Sequence, residues 1–298
     1  MPSGIIIKGI GGFYYVESAG AIYECKARGI FRRRGLVPLA GDRVDFSLTD
    51  DRKKVGCIDN ILPRQSLLAR PTVANVNQVV VVISVKSPSP DFMLVDKLLI
   101  TAGQKEINVV VCINKIDLDV DEEYKKIISS YEQTNYTFVL SSSKTDLGLG
   151  QLKEALDNRI SVFAGQSGVG KSTILNRIMS SNIMKTGEIS ERNDRGKHTT
   201  RHTELIKLGT NGYVADTPGF SSFDISEMRY DELQLYYPEF REYLNSCKFA
   251  RCSHISEPGC SIKEALGRRM INEGRYARYI ELYNSLRQIK DYETKKHS

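Results

Sequence analysis

The chain has 298 residues, 41% of them hydrophobic and 26% charged, with a formal net charge of +6. That length and balance supply cores for two or three compact domains. No apolar run reaches membrane-spanning length, and Ile5-Ile6-Ile7 is cut at once by Lys8 and Gly9; nothing reads as a membrane helix or a secretory leader, and a soluble cytoplasmic protein is expected.

Residues 1–70 carry five more basic than acidic side chains, residues 71–225 one fewer, and residues 226–298 two more. Much of the first excess is one cluster, Lys26, Arg28, Arg32, Arg33 and Arg34, with Tyr14, Tyr15, Tyr23 and Phe31 close in sequence. Cations that neutralise phosphates and rings that stack on bases together suit a nucleic acid; the other reading is a solvated loop beside core aromatics. Short β-branched and aromatic runs at 5–10, 13–16, 21–27, 43–47 and 55–61 are separated by Gly11, Gly12, Gly20, Gly29, Gly35 and Gly41. Five strands in so small a unit predict a partly open barrel of the OB type, with an SH3-like barrel as the rival.

From residue 75 to about 222 apolar β-branched runs alternate with helical stretches, the pattern of a mostly parallel sheet covered by helices. Strands are predicted at 79–85, 109–113, 136–140, 162–164 and 213–215, and helices at 92–102, 122–131 and 172–179. Each motif then falls at the carboxyl end of a strand, where open α/β sheets hold their ligands.

The first motif along the chain is Asn114-Lys115-Ile116-Asp117, an N-K-x-D pattern. Asp117 would accept hydrogen bonds from the N1–H and exocyclic amine of guanine, a pair adenine does not offer, while Lys115 lies along the ring and Asn114 ties loops together. Ser142, Ser143 and Lys144, which with Ser141 follow the strand ending at Leu140, resemble the loop that backs the base. Gly165-Gln166-Ser167-Gly168-Val169-Gly170-Lys171-Ser172 comes next, between a short strand and a helix. Its backbone N–H groups would converge on phosphate oxygens, Lys171 would reach the β- and γ-phosphates, Ser172 would ligate magnesium and Thr173 would extend the cradle. Asp216-Thr217-Pro218-Gly219 follows, with Asp216 expected on magnesium through water and the Gly219 N–H on the γ-phosphate. An ordinary GTPase has the phosphate loop first and the guanine reader last. The inverted order predicts a circularly permuted GTPase domain.

Phe220 stands where many GTPases place a water-orienting glutamine, so slow unaided turnover is expected. The segment 187–202 is polar and without apolar period, as in a switch loop. In Gly196-Lys197-His198-Thr199-Thr200-Arg201, Thr200 is preferred over Thr199 for the magnesium shell, and His198 would orient or deprotonate water unless it simply faces RNA or solvent.

Three of the six cysteines stand near the C-terminus with a histidine: Cys247, Cys252, His254 and Cys260. Three thiolates and an imidazole make a closed tetrahedral set, which predicts one structural zinc ion. Helices are predicted at 262–272 and 275–290, where Arg268, Arg269, Arg275, Arg278 and Arg287 would meet phosphates or water.

Taken together, the small barrel, the permuted motifs, the Gly196–Arg201 segment, Asp216 to Phe220 and the Cys-Cys-His-Cys set resemble the ribosome small subunit-dependent GTPase family, RsgA, also called YjeQ or YloQ. The resemblance spans essentially the whole chain. It implies an OB-fold-like RNA-binding domain (1–70), a circularly permuted GTPase domain (71–225) and a mostly helical zinc-binding domain (226–298). It also implies GTP, magnesium and zinc as ligands and GTPase activity stimulated by the small ribosomal subunit and its rRNA. Late subunit maturation beside other maturation factors, a monomeric state and a catalytic His198 are expected on the same ground. A GTP-sensing RNA-binding scaffold with incidental hydrolysis is the alternative.

Overall fold

The computed structural model describes residues 1–69, 72–186, 203–209, 211–216 and 225–296, with side chains excepted at 181–186, 216 and 291–296. Strands β1 (Ser3–Ile10), β2 (Phe13–Ser18), β3 (Ala21–Ala27), β4 (Arg43–Asp50) and β5 (Val55–Ile61) form a barrel in the order β1-β2-β3-β5-β4. It closes where Ser3 pairs with Asp45, and β3 runs parallel to β5. The β1–β2 turn is Gly11-Gly12, at φ of 61° and 85°. A two-residue hairpin turn of this twist needs positive φ at both positions, which side chains resist. Ile6, Val16, Cys25, Val44, Phe46 and Ile58 fill the barrel. Helix α1 (Gly29–Arg33), not foreseen from sequence, follows β3.

A hairpin of β6 (Leu67–Ala69) and β7 (Thr72–Ala74) comes next. Six strands then share one sheet in the order β10-β9-β8-β11-β13-β12: β8 (Gln78–Ser84), β9 (Asn108–Asn114), β10 (Thr137–Leu140), β11 (Ile160–Ala164), β12 (Glu204–Leu208) and β13 (Gly212–Asp216). All seven residues of β8 are buried, as a continuous β-branched run must be when both faces of a sheet are covered. Helices α2 (Phe92–Gln104), α3 (Glu123–Ser129), α4 (Leu149–Leu156) and α5 (Lys171–Thr186) join these strands. Asp91 caps α2 by accepting the Leu94 N–H at 2.9 Å.

Beyond the sheet lie α6 (Ser261–Gly267) and α7 (Glu273–Lys296). The chain leaves α6 five residues before the expected end because Arg269 takes φ +61°, and Asn272 starts α7 by accepting the Arg275 N–H at 3.0 Å. No helix among the described residues is long and apolar enough to cross a membrane.

Contacts gather the chain into two compact units. Met1–Val80, Leu149–Ala164 and Lys171–Phe220 make one, in which the barrel meets β12 through Lys8–Glu204 at 3.5 Å and the Lys207–Glu17 pair. Val81–Gly148, Gly165–Gly170 and Ser221–Ser298 make the other. Its core runs from Ile100 of α2 through Leu233, Tyr237 and Phe240 to Ile262 of α6 and Tyr279 and Leu286 of α7.

Candidate functional site

The phosphate loop is shaped by three glycines at positive φ: Gly165 at 142°, Gly168 at 82° and Gly170 at 99°. A Cβ on Gly165 would lie 2.3 Å from the Val82 carbonyl oxygen, and one on Gly170 would lie 2.4 Å from Asn114 Nδ2. Close backbone approach, as well as dihedral freedom, therefore demands glycine at both. The second contact also joins the two motifs. Asn114, fully buried at the end of β9, donates from Nδ2 to the Val169 carbonyl at 2.8 Å, and Lys115 Nζ donates to the Gly168 carbonyl at 2.8 Å and to that of Ser87. Lys115 itself stands at φ +64°, a conformation that persists where surrounding contacts fix it. Two motifs about fifty positions apart are thus fastened into one structure.

A second layer holds that junction. Ser141 Oγ donates to Asn114 Oδ1 at 3.1 Å, and Cys112 Sγ lies 3.1 Å from Ser141 Oγ. Burial pushes the Cys112 thiol up to about 11, so it stays protonated beside the serine. Ser142, 1% exposed, donates from Oγ to Asp117 Oδ1 at 2.6 Å and accepts the N–H groups of Lys144 and Thr145. Ser143 lies in the same turn, which closes as Ser142 pairs with Leu147. Asp117 is exposed and is held through one carboxylate oxygen, Oδ1, as suits a carboxylate that reads a soluble base.

Gln166 and Ser167 complete the loop, and Lys171, Ser172 and Thr173 open α5. Burial draws the Lys171 ammonium below the ordinary lysine value, a cost that an anionic ligand at the helix start would offset. Asp216 ends β13, paired through its backbone with Glu204 at the start of β12. His198, Thr200 and Gly219 lie outside the described residues, as do Thr217, Pro218 and Phe220. The described part carries backbone N–H groups at glycines and one ammonium that can donate to phosphate oxygens, and one carboxylate that can accept from a base.

Cys247, Cys252, His254 and Cys260 converge, their ligand atoms all within 4.8 Å of one another. His254 turns Nδ1 toward the thiols, 3.5 Å from Cys247 Sγ and 3.4 Å from Cys260 Sγ, and its Nε2–H faces Gln234 Oε1 at 2.5 Å. Gln234 is itself held, its Nε2 donating to the Asp231 carbonyl at 2.9 Å. Burial raises the Cys252 thiol to about 12 and raises that of Cys260, whereas hydrogen bonds from Ser261 bring Cys247 below its ordinary value against its burial. Three thiols and an imidazole nitrogen drawn together are the soft, closed donor set that a divalent cation would ionise and bind, so the set fits zinc. Glu257 ties the intervening loop by accepting from Ser253 N and Oγ, both at 2.7 Å, and from Ile255 N at 3.1 Å.

Two arginines expected at phosphates or in water are elsewhere. Arg275 is fully buried, with Nη1 2.6 Å from Asp96 Oδ1 and Nε 2.7 Å from Glu239 Oε1, and its guanidinium lies 4.3 Å from the Tyr237 ring centroid. Arg278 Nε binds Asp96 Oδ2 at 2.5 Å. These side chains join α7 to α2, whereas Arg268, Arg269 and Arg287 are exposed. In the barrel Phe31 is core, Arg28 is paired with Asp59, and Lys26 lies 5.1 Å over the Phe13 ring. Arg32, Arg33 and Arg34 are exposed, so only part of the expected basic and aromatic surface is available. Gln234, Ser261 and Asp96 were missed because each acts on a residue far along the chain and belongs to no motif.

Comparison with known proteins finds relatives along the whole chain. The RsgA GTPase family model matches residues 61–226 and the RsgA N-terminal domain model residues 3–58. The small ribosomal subunit biogenesis GTPase RsgA of Ruminiclostridium cellulolyticum is 55% identical over 99% of this chain and 97% of its own, and that of Alkaliphilus metalliredigens is 46% identical over 98% and 100%. Among solved structures, YjeQ from Thermotoga maritima superposes with a TM-score of 0.83 at 36% identity, covering 96% of this chain and 98% of that one. YloQ, a circularly permuted GTPase, gives 0.82 at 35% identity, covering 97% and 96%.

Proposed function

The chain belongs to the RsgA GTPase family, and on that premise we propose that it hydrolyses GTP on the small ribosomal subunit, assists the late maturation of that subunit, and leaves it upon hydrolysis. The observation that carries the nucleotide part is the fastening of Asn114 to the Val169 carbonyl and of Lys115 to that of Gly168, because a base reader bound to a phosphate loop defines a guanine-nucleotide pocket. Asp117 accepts from the guanine N1–H and amine, backed by Ser142, Ser143 and Lys144. The N–H groups from Gly165 to Gly170 and the Lys171 ammonium cradle the phosphates, with Gln166, Ser167, Val169 and Thr173 completing the lining. Ser172, Asp216 and Thr200 would hold magnesium, which would supply neutralisation of phosphate charge.

His198 orients the attacking water and takes its proton as the new P–O bond forms and the bond to the β–γ bridging oxygen breaks. The Gly219 N–H steadies the γ-phosphate. Phe220 offers no hydrogen bond to that water, so turnover is slow until contact with the small subunit completes the catalytic site. Cys247, Cys252, His254 and Cys260 would hold a zinc ion, and its part would be structural, since the set offers four protein ligands. The chain works as a cytoplasmic monomer divided at about residues 70 and 225, with rRNA and other maturation factors as partners. The exposed Arg32, Arg33 and Arg34 suit the phosphates of rRNA.

Two variants test the scheme. Lys171→Ala should lose GTP binding or turnover, while His198→Ala should keep GTP binding and remain on the subunit after GTP addition. Equal release of His198→Ala and the unaltered protein, followed by sedimentation, contradicts the mechanism. Binding to unrelated RNA as tight as to the small subunit would favour a GTP-sensing RNA scaffold instead.

A further inference from the structure

Between the first two ligands of the metal cluster runs the loop Lys248-Phe249-Ala250-Arg251, exposed at all four positions. Phe249 is 45% exposed, the one aromatic side chain of the exposed class among the described residues. Of the other rings nearby in sequence, Tyr237, Phe240, Tyr276 and Tyr279 are buried in the core of this unit, and Tyr236 and Tyr243 are half-buried against it. A single exposed apolar side chain needs no explanation by itself. This one differs in how it is held and in what surrounds it.

The loop is anchored at both ends, by Cys247 and Cys252 of a cluster drawn within 4.8 Å. Its first residue is pinned as well: the Lys248 N–H donates to the Gly259 carbonyl at 2.9 Å, and Lys248 packs so closely on Gly259 that a Cβ there would lie 3.1 Å from its own Cβ. With Gly259 also at φ +68°, the turn facing the loop admits no larger residue without strain. A loop so short and so tethered keeps its tip outward. Its chemistry is cationic and aromatic: Lys248 Nζ lies 5.8 Å from the Phe249 ring centroid, Arg251 follows two positions later, and residues 247–252 contain no acid.

We propose that Phe249, between Lys248 and Arg251, is a stacking platform for an unpaired base of small-subunit ribosomal RNA. The inference rests on the ribosomal reading above and names a contact point for it. RNA is recognised chiefly where bases are splayed from loops and bulges, and those bases stack on aromatic rings while adjacent cations meet the phosphates. An aromatic ring carried on a pinned loop loses little freedom when a base covers it, and the flanking cations match the charge of the backbone on either side. A protein partner would call for an apolar rim, and the neighbours here are Lys248, Ala250 and Arg251.

The test uses the full-length, zinc-loaded protein in four forms: unaltered, Phe249→Ala, Phe249→Trp, and Lys248→Ala combined with Arg251→Ala. Each is titrated, with a non-hydrolysable GTP analogue, against small ribosomal subunits and against protein-free small-subunit rRNA over a series of salt concentrations. Phe249→Ala should weaken both interactions about 5- to 100-fold with little change in salt dependence, and Phe249→Trp should stay within about threefold of the unaltered protein. The double cation variant should lower the slope of log affinity against log salt by about one to two. Subunit-free GTP hydrolysis and zinc content should be unchanged in all four. Phe249→Ala binding as well as the unaltered protein overturns the inference alone and leaves the ribosomal reading in place. A loss confined to intact subunits, with rRNA binding unaffected, also overturns it, since the ring would then meet a ribosomal protein. If the unaltered protein does not bind small subunits, the inference falls together with the reading beneath it.

Discussion

Replacing Asp96 by alanine removes the carboxylate on which two arginines and a tyrosine converge: Arg275 Nη1 at 2.6 Å, Arg278 Nε at 2.5 Å and Tyr131 OH at 2.7 Å. Arg275 and Asp96 are both 0% exposed, so the guanidinium left behind keeps only Glu239 in an apolar shell. Removing one partner of a buried pair costs roughly 3–5 kcal/mol, most of it the penalty on the stranded charge. A unit of about 150 residues loses about 2–4 °C in melting temperature per kcal/mol, so Asp96→Ala should melt about 6–20 °C lower. Arg278 is the internal control, being 15% exposed and able to regain water; Arg278→Ala should cost about 1 kcal/mol and only a few degrees. Differential scanning calorimetry of the zinc-loaded, nucleotide-free variants reads both. At temperatures where Asp96→Ala is folded it should bind GTP within about threefold of the unaltered protein, because Asp96 bonds to Tyr131, Arg275 and Arg278 and not to the guanine reader or the phosphate loop. A shift below about 2 °C, or equal shifts for the two variants, would refute the view of Asp96 and Arg275 as a buried weld between α2 and α7.

Substitutions at two further positions address the ligands. Asp117→Asn exchanges an acceptor for a donor opposite the base 2-position, so preference should move from GTP toward XTP, whose xanthine has a carbonyl there; competition between the two against a fluorescent nucleotide measures it. Gln234→Leu removes the acceptor that holds His254 Nε2–H and so turns Nδ1 to the thiols, and zinc affinity should fall about 10- to 100-fold in chelator competition. Gln234→Glu keeps an acceptor and should hold zinc at least tenfold better than Gln234→Leu; equal losses in the two would point to packing rather than orientation.

What could be read from sequence was what chemistry fixes locally. Phosphate binding demands glycines and a lysine at set spacing before a helix, so Gly165 to Ser172 was legible, and the permuted order followed from comparing motif positions alone. The β-branched run of β8 announced a covered strand. Less visible were features set by partners distant in the chain. Nothing around Arg275 distinguishes it from the exposed Arg268 and Arg269; only folding brings Asp96, nearly two hundred positions away, to its guanidinium. Phe31 belonged to a basic cluster in sequence, yet the turn of α1 points it into the barrel core. Strand β12 was hidden because its residues, Glu204 to Leu208, carry two charges in five and follow a polar segment. Gln234 had no motif to mark it, and its role emerges only from the ring of His254 opposite.

Initial rates of GTP hydrolysis by the purified, zinc-loaded protein, measured alone, with small ribosomal subunits and with large subunits, and repeated with ATP, address the central claim most directly. Slow hydrolysis alone, strong stimulation by small subunits only, and no comparable rate with ATP are the results predicted by a permuted guanine-nucleotide site that its ribosomal partner completes. Tight GTP binding with a rate unmoved by small subunits, or equal stimulation by large ones, would contradict it.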